Sequence, residues 1–374
     1  MDRDLLIVGG YGLVGRQAAA ILRARDPGLR LTLAGRSPGA AEEVARACGA
    51  STATVDVRRP RPLADLAEPP GAILATVSDP RNELLADAVR HGIPFADITR
   101  SGAAAALDAA VCASDGRATA PVLLAGSLMA GLSASAAALA VAELGGADRI
   151  DITMMGSSDD RVGPDSWDFS RRLAWTHHPM REGEREASEP LSRIKRVRCP
   201  DGVERPGGMM GTVTEATLPL TLGVPTVEAR LAFTEPPVLL GLVALKRLGL
   251  LSLLENPLVQ RIRNRGAGEA TAASTAGLSV TARRGGRAAS VDILDERGQS
   301  HLSAVGAVNA AERLLGGGLP AGVSFPEQSG DHAADLAAAR EAGVSVRFSG
   351  FAREAVAPLD GDRAAQPAGR GAGE

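Results

Sequence analysis

The thirteen residues DLLIVGGYGLVGR at positions 4–16 leave the least freedom to everything that follows them. An apolar run passes into a glycine-rich turn, and the turn opens an Ala/Leu-rich segment at 17–25. This is the order of a buried parallel strand, a tight loop and a helix, with Gly10, Gly12 and Gly15 filling a G-x-G-x-x-G pattern. The three glycines have separate tasks: a tight turn, close approach of backbone to a pyrophosphate, and close packing of helix on strand. The free N–H groups at the helix start then face the phosphates. In a chain with 44 glycines the pattern alone would mean little. Its position between strand and helix, with a second strand following, points to a dinucleotide site.

Strand, loop and helix repeat through the first 145 residues, which predicts an α/β protein with an N-terminal Rossmann domain, a doubly wound parallel sheet. Strands are expected at 29–34, 51–57, 71–77, 94–98 and 121–125, and helices at 40–48, 82–91 and up to 144. The second strand ends in Gly35, Arg36 and Ser37, where an NAD enzyme carries an acidic residue for the ribose 2′-hydroxyl. A guanidinium and a hydroxyl suit a 2′-phosphate, so NADP is favoured. The third strand closes on Asp56 and Val57, and the fourth on Thr76, Val77 and Ser78. With Tyr11, Leu13 and Val14 in the glycine turn, these residues make the expected cofactor site.

Ligands of an open parallel sheet bind beyond the carboxyl ends of its strands. Ser78 on the fourth strand and Asp97, Thr99 and Arg100 on the fifth are therefore the candidate catalytic residues. Arg100 could clamp a substrate carboxylate in a bidentate fork, and Asp97 or Thr99 could orient a water or the nicotinamide amide. Capping and surface roles are the alternatives for each.

Beyond residue 145 the rhythm changes. Strands at 149–155, 194–199, 226–233, 274–283 and 288–295 with few helices between them predict a mostly antiparallel or mixed second sheet in an α+β domain. A polar loop at 156–161 suits a ligand contact, and 166–176 reads as a helix carrying Trp167 and Trp175 on one face. Arg161, Arg171 and Arg172 flank it. Helices are expected at 303–315 and 331–342 and a last strand at 344–348. The division expected is 1–126 for the cofactor domain, 127–302 for a substrate and dimerisation domain, 303–352 for a segment returning to the first domain, and 353–374 for a disordered tail.

Composition excludes other functions. The net charge is −3 and aromatic residues make up 2% of the chain, so both the electrostatic and the stacking basis for nucleic-acid binding are missing. Cys48, Cys112 and Cys199 form no C-x-x-C pair and read as reduced thiols in a cytoplasmic protein. The apolar stretch at 237–254 is interrupted by Lys246 and Arg247, so no stable membrane insertion is expected. His177 and His178 are adjacent and point apart, a poor chelate, and read as a solvated loop; no metal set is expected. His91 suits a helix C-terminus, while His301 and His332 have no partner visible in the sequence.

Five segments resemble the saccharopine dehydrogenase-like NADP-binding oxidoreductases: VGGYGLVGR at 8–16, LAGRS at 33–37, DIT at 97–99, AGSLMAGLS at 125–133 and LPAGVSFPE at 319–327. In the fourth, Met129 and Ala130 stand where proline is common in the family. The resemblance spans roughly residues 4 to 350. It implies an N-terminal Rossmann domain, a central mixed-sheet domain for substrate and dimerisation, and a C-terminal return to the first domain. It also implies an NADPH-dependent reductase of a small-molecule substrate, often at a C=N bond between amine and carbonyl, working as a homodimer. Reduction of a C=C bond in a lipid or polyketide intermediate, and a non-catalytic NADP-binding sensor, are the other readings. For an imine, whose nitrogen is readily protonated, a dedicated strong acid is not required.

Overall fold

The structure is a computed structural model that describes residues 3–158, 160, 173, 175–252 and 274–352. The first sheet is built from β1 (Asp4–Val8), β2 (Arg30–Gly35), β3 (Ser51–Thr54), β4 (Ile73–Ala75), β5 (Phe95–Asp97), β6 (Pro121–Leu124) and, from far along the chain, β15 (Gly322–Ser324). All seven strands are parallel, in the order β15-β6-β5-β4-β1-β2-β3. The chain reverses direction across this sheet beside β1, and the ligand crevice of such a sheet opens at that point. Leu5, Leu6, Ile7 and Val8 are all buried, as expected of a strand covered on both faces.

The helices of this half are α1 (Leu13–Arg25), α2 (Pro38–Cys48), α3 (Glu83–Arg90) and α4 (Ala103–Asp115). The sequence reading passes from the fifth strand to the sixth without α4. Its small residues Ala106, Ala109 and Ala113 are buried while Leu107 and Val111 are exposed, so its apolar pattern is the reverse of its packing. The chain at 62–65 is a run of turns.

Helix α5 (Leu132–Leu144) leads into a second seven-stranded sheet. It contains β7 (Arg149–Gly156), β10 (Lys195–Arg198), β11 (Glu204–Met209), β12 (Val227–Phe233), β13 (Ala276–Arg284), β14 (Arg287–Asp295) and β16 (Ser345–Ser349). The order is β10-β11-β12-β7-β13-β14-β16, parallel between β12 and β7 and antiparallel at the other pairings. A small hairpin, β8 (Met180–Arg181) and β9 (Glu184–Arg185), stands beside it. Strand β11 escapes the sequence reading because its ERPGGM sequence looks like a turn. Gly207 is required there, since an added Cβ would lie 2.6 Å from a methyl of Val197 on β10.

Helix α6 (Thr214–Leu222), also unforeseen, contains Pro219 and packs against α4, α5 and β12. Helix α7 (Pro236–Arg247) buries only Leu239. Among the described residues no helix is long and apolar enough to cross a membrane. Helix α8 (Gln299–Leu315) lies on α1, and α9 (His332–Glu341) lies on α5.

The C-terminal segment serves both sheets. Strand β15 extends the first sheet beside β6, but β16 pairs with β14 at the edge of the second. The expectation that 303–352 packs back on the cofactor domain is corrected to that extent. Residues 166–172 and 174 of the expected helix, with Trp167, Arg171 and Arg172, lie outside the described residues, as do Arg161, 253–273 and the tail from 353.

Candidate functional site

The turn between β1 and α1 is held by backbone. Gly9 N donates to Ala34 O at 2.8 Å and Gly12 N to Gly9 O at 2.9 Å. A Cβ on Gly10 would sit 2.9 Å from Ile7 O, and one on Gly15 would sit 2.8 Å from Gly10 Cα and 2.9 Å from Thr76 Oγ1. One on Gly12 would meet only Gly9 O, at 3.0 Å. Gly10 and Gly15 are thus fixed by packing, and Gly12 stands on the open side, where a phosphate would approach. Gly12 is the N-cap of α1, no side chain caps the helix, and its first turn carries no acidic residue. The N–H groups of Leu13, Val14 and Gly15 and the positive end of the helix dipole are therefore available to an anion. The cradle fits a dinucleotide pyrophosphate.

At the end of β2 the ring of Tyr11 covers Gly35, whose added Cβ would lie 2.6 Å from Tyr11 Cζ. Ser37 N donates to Tyr11 Oη at 3.1 Å, which ties the glycine turn to the start of α2. Arg36 and Ser37 are exposed. Asp56 accepts both Nε and Nη2 of Arg58, at 2.9 and 2.8 Å. The Arg58 hydrogen bonds, helped by the charge of Arg36, hold its carboxyl far below the usual carboxylate range. Arg58, which sequence reasoning missed, therefore stands with Arg36 at this corner, while Val57 is buried in the core.

The polar residues at the ends of β4 and β5 are largely engaged with the protein itself. Thr76 Oγ1 donates to Val8 O at 3.1 Å. Asp79 is 1% exposed and accepts the N–H groups of Glu83, Leu84 and Leu85 at 3.0 to 3.2 Å, capping α3. Asp97 is fully buried and accepts both Thr99 N, at 2.6 Å, and Thr99 Oγ1, at 2.7 Å. Arg100 is 5% exposed, with Nε 2.9 Å from Asp97 and Nη2 3.6 Å from Asp79. Its charge is matched inside the protein, so the structure gives no support to a fork that clamps a substrate carboxylate. Asp97 likewise holds the loop through Thr99 and faces Arg100. Ser78 and Thr99, both half-buried, remain at the edge itself with Val77.

The loop after β6 closes this edge. Met129, Ala130 and Gly131 have φ of 54°, 52° and 104°, three consecutive residues in left-handed conformations. Two of them carry a Cβ, which makes the turn strained. Gly306 of α8 packs directly on the Met129 and Ala130 carbonyls, and its added Cβ would be 2.7 Å from Ala130 O. On the side of the second sheet, Val213 N donates to Ser101 O at 2.9 Å, joining the start of α6 to the loop after β5.

Next to that junction stands His177, which the sequence reading placed in solvent, paired with Glu215. His177 Nδ1 is 2.8 Å from Glu215 Oε2, and the two side chains are 12% and 3% exposed. Glu215 also accepts Ala229 N at 2.9 Å and Thr212 N at 3.4 Å. Burial pushes its carboxyl up, against these hydrogen bonds. His178 alone of the two histidines is exposed. His301 is also paired, with Nδ1 2.5 Å from Asp295 Oδ2, and His91 Nδ1 lies 2.8 Å from Asp87 O. Glu215 lies 38 residues from His177 and Asp295 six residues from His301, beyond the reach of local spacing.

No family model matches the chain. Over 110 residues it is 34% identical to an uncharacterized oxidoreductase of Mycobacterium tuberculosis, matched in two strains. That match takes in 29% of this chain, and the chain spans 40% of the length of these curated relatives. In three dimensions it is similar to the apo, histidine-tagged saccharopine dehydrogenase (L-Glu forming) of Saccharomyces cerevisiae. The TM-score is 0.62 at 12% identity, over 92% of this chain and 99% of that one. The chain has the saccharopine dehydrogenase fold, so the resemblance read from its motifs holds at the level of architecture.

Proposed function

We propose that this chain is an NADPH-dependent oxidoreductase that reduces a C=N bond, formed between an amine and a carbonyl, in a small metabolite. The observation that carries the reading is the glycine turn with its uncapped α1 start. Gly10, Gly12 and Gly15 with the N–H groups of Leu13, Val14 and Gly15 would hold the pyrophosphate. Arg36, Ser37 and the neighbouring Arg58 would meet the adenosine 2′-phosphate, since no acidic residue ends β2. The partial match to an oxidoreductase and the saccharopine dehydrogenase fold support the class of reaction. A bound nicotinamide supplies the hydride.

The protein's part is to hold the electrophilic carbon at the strand ends and to exclude water. In this reading Ser78 and Thr99 would touch the reacting groups. Asp97 and Arg100 act beneath them: Asp97 fixes Thr99 through two hydrogen bonds, and Arg100 balances the buried carboxylates. A homodimer in the cytoplasm is the working arrangement proposed. Fluorescence titration of the purified chain with NADPH and NADH tests the first step. Tighter binding of NADPH is expected, and equal weak binding or none sinks the proposal. Turnover is then sought with pyruvate and excess methylamine, as a test imine, and with acyl substrates carrying a C=C bond. Activity on the latter alone would move the reading to an enoyl reductase.

A further inference from the structure

Reduction of a neutral imine needs a proton as well as a hydride, and the carboxylates at the Rossmann edge are spent on α3 and on the loop after β5. We propose that His177, oriented by Glu215, is the residue that passes this proton to the substrate nitrogen, an inference that rests on the oxidoreductase reading above.

The geometry is that of an imidazole held for proton transfer. Glu215 already accepts two backbone N–H groups, so toward His177 it acts as a further acceptor and fixes the proton of the ring on Nδ1. This leaves Nε2 as the working nitrogen. Nε2 is buried and has no hydrogen-bond partner in the protein. A buried polar atom without a partner is costly, and one on an oriented imidazole is the arrangement expected where a ligand atom completes the set.

The ring is also given room. An added Cβ on Gly211 would lie 2.8 Å from His177 Cβ and 3.0 Å from Cγ, so any side chain at 211 would displace the imidazole. Two residues later the same loop reaches Ser101 through Val213, immediately after Thr99 and Arg100. His177 therefore packs against the 211–213 loop, which is hydrogen-bonded to the residue that follows Arg100.

In the step itself the Nε2–H bond breaks and an N–H bond forms at the substrate nitrogen, while hydride from the reduced nicotinamide forms the new C–H bond. The substrate C=N bond is reduced to C–N and the nicotinamide is oxidised. The imidazolium becomes neutral imidazole and regains a proton from solvent. Glu215 touches no substrate and acts as a positioning residue.

Two measurements test this. In the full chain labelled with 15N-histidine, saturating NADP+ should move the His177 Nε2 resonance and leave that of His91 in place. A His177 signal that does not respond overturns the assignment. In turnover of the pyruvate and methylamine imine, His177→Asn should lower kcat by about 100-fold or more. Its melting temperature and NADPH affinity should stay at the wild-type values, and added imidazole should restore part of the rate to His177→Gly. Glu215→Gln should lower kcat with KM little changed. Wild-type kcat in His177→Asn, or a loss of rate in His301→Asn instead, overturns the inference. Failure of the wild type to bind NADPH fails the parent reading, and that outcome is seen before any variant is made.

Discussion

Two alanine substitutions in one turn should part folding from cofactor binding. In Gly15→Ala the new methyl would lie 2.8 Å from Gly10 Cα and closer still to Gly9 O, where ordinary contacts begin at 3.4 Å. Both obstacles are backbone, so the turn and α1 must separate by about 0.6 Å or more at the very place where they pack. Overpacking of this kind costs about 1–3 kcal/mol. At roughly 2–4 °C per kcal/mol for a domain of this size, the cofactor-free melting temperature should fall by about 2–12 °C.

In Gly12→Ala the new methyl meets only Gly9 O at 3.0 Å, and φ −69°, ψ 174° is a conformation that alanine adopts freely. Gly9 O must give by a few tenths of an ångström, and reduced freedom of the unfolded chain contributes about 0.4–1 kcal/mol in the other direction, so its stability should stay within about 1 kcal/mol of the wild type. On the proposed cofactor site the methyl would stand between backbone and pyrophosphate, and NADPH binding should be lost. Thermal melting by circular dichroism without cofactor, and titration by NADPH fluorescence, read the two effects separately. A Gly15→Ala protein as stable as the wild type, or a Gly12→Ala protein that binds NADPH normally, refutes the division of tasks.

Three further expectations follow from the same geometry. Arg36→Ala should weaken NADPH binding by about 1.5–3 kcal/mol, the range for a charged hydrogen bond, and leave NADH binding unchanged; equal losses for both cofactors count against a 2′-phosphate contact. Gly306→Ala should destabilise the chain by about 1–3 kcal/mol in urea melts, because its methyl meets the Met129 and Ala130 carbonyls, and an unchanged midpoint would show that this loop yields freely. Burial lifts the Glu327 carboxyl above its ordinary range against hydrogen bonds from Thr217 and Thr221. Its favourable contribution is thus complete below the unfolded value of about 4.3 and is lost as pH rises through the folded one. The melting temperature of Glu327→Gln relative to wild type should therefore grow from pH 5 to pH 8, and a constant difference contradicts the sign.

Much of the first sheet was legible because its signals are local. A strand, a glycine turn and a helix within thirteen residues are governed by neighbours in the chain, and repetition of that unit leaves little choice but a parallel sheet. The elements missed are those whose packing contradicts local pattern. Helix α4 buries alanines and exposes Leu107 and Val111, α6 contains a proline, and β11 is rich in glycine and proline. Strand β16 lies next to β14 although some fifty residues separate them, a pairing that no periodicity encodes.

The residues at the site divide along the same line. The sequence by itself determined where a phosphate could sit, since only glycines pass the backbone so close to itself at Gly10 and Gly15, and it determined that no acid ends β2. Only the tertiary structure decided which polar groups are free to act. Arg100 looked like a substrate clamp until Asp97 and Asp79 were brought beside it, and His177 looked solvated until Glu215, 38 residues away, closed on its ring. The charge and accessibility of a side chain depend on what surrounds it in space, and those surroundings come from distant parts of the chain.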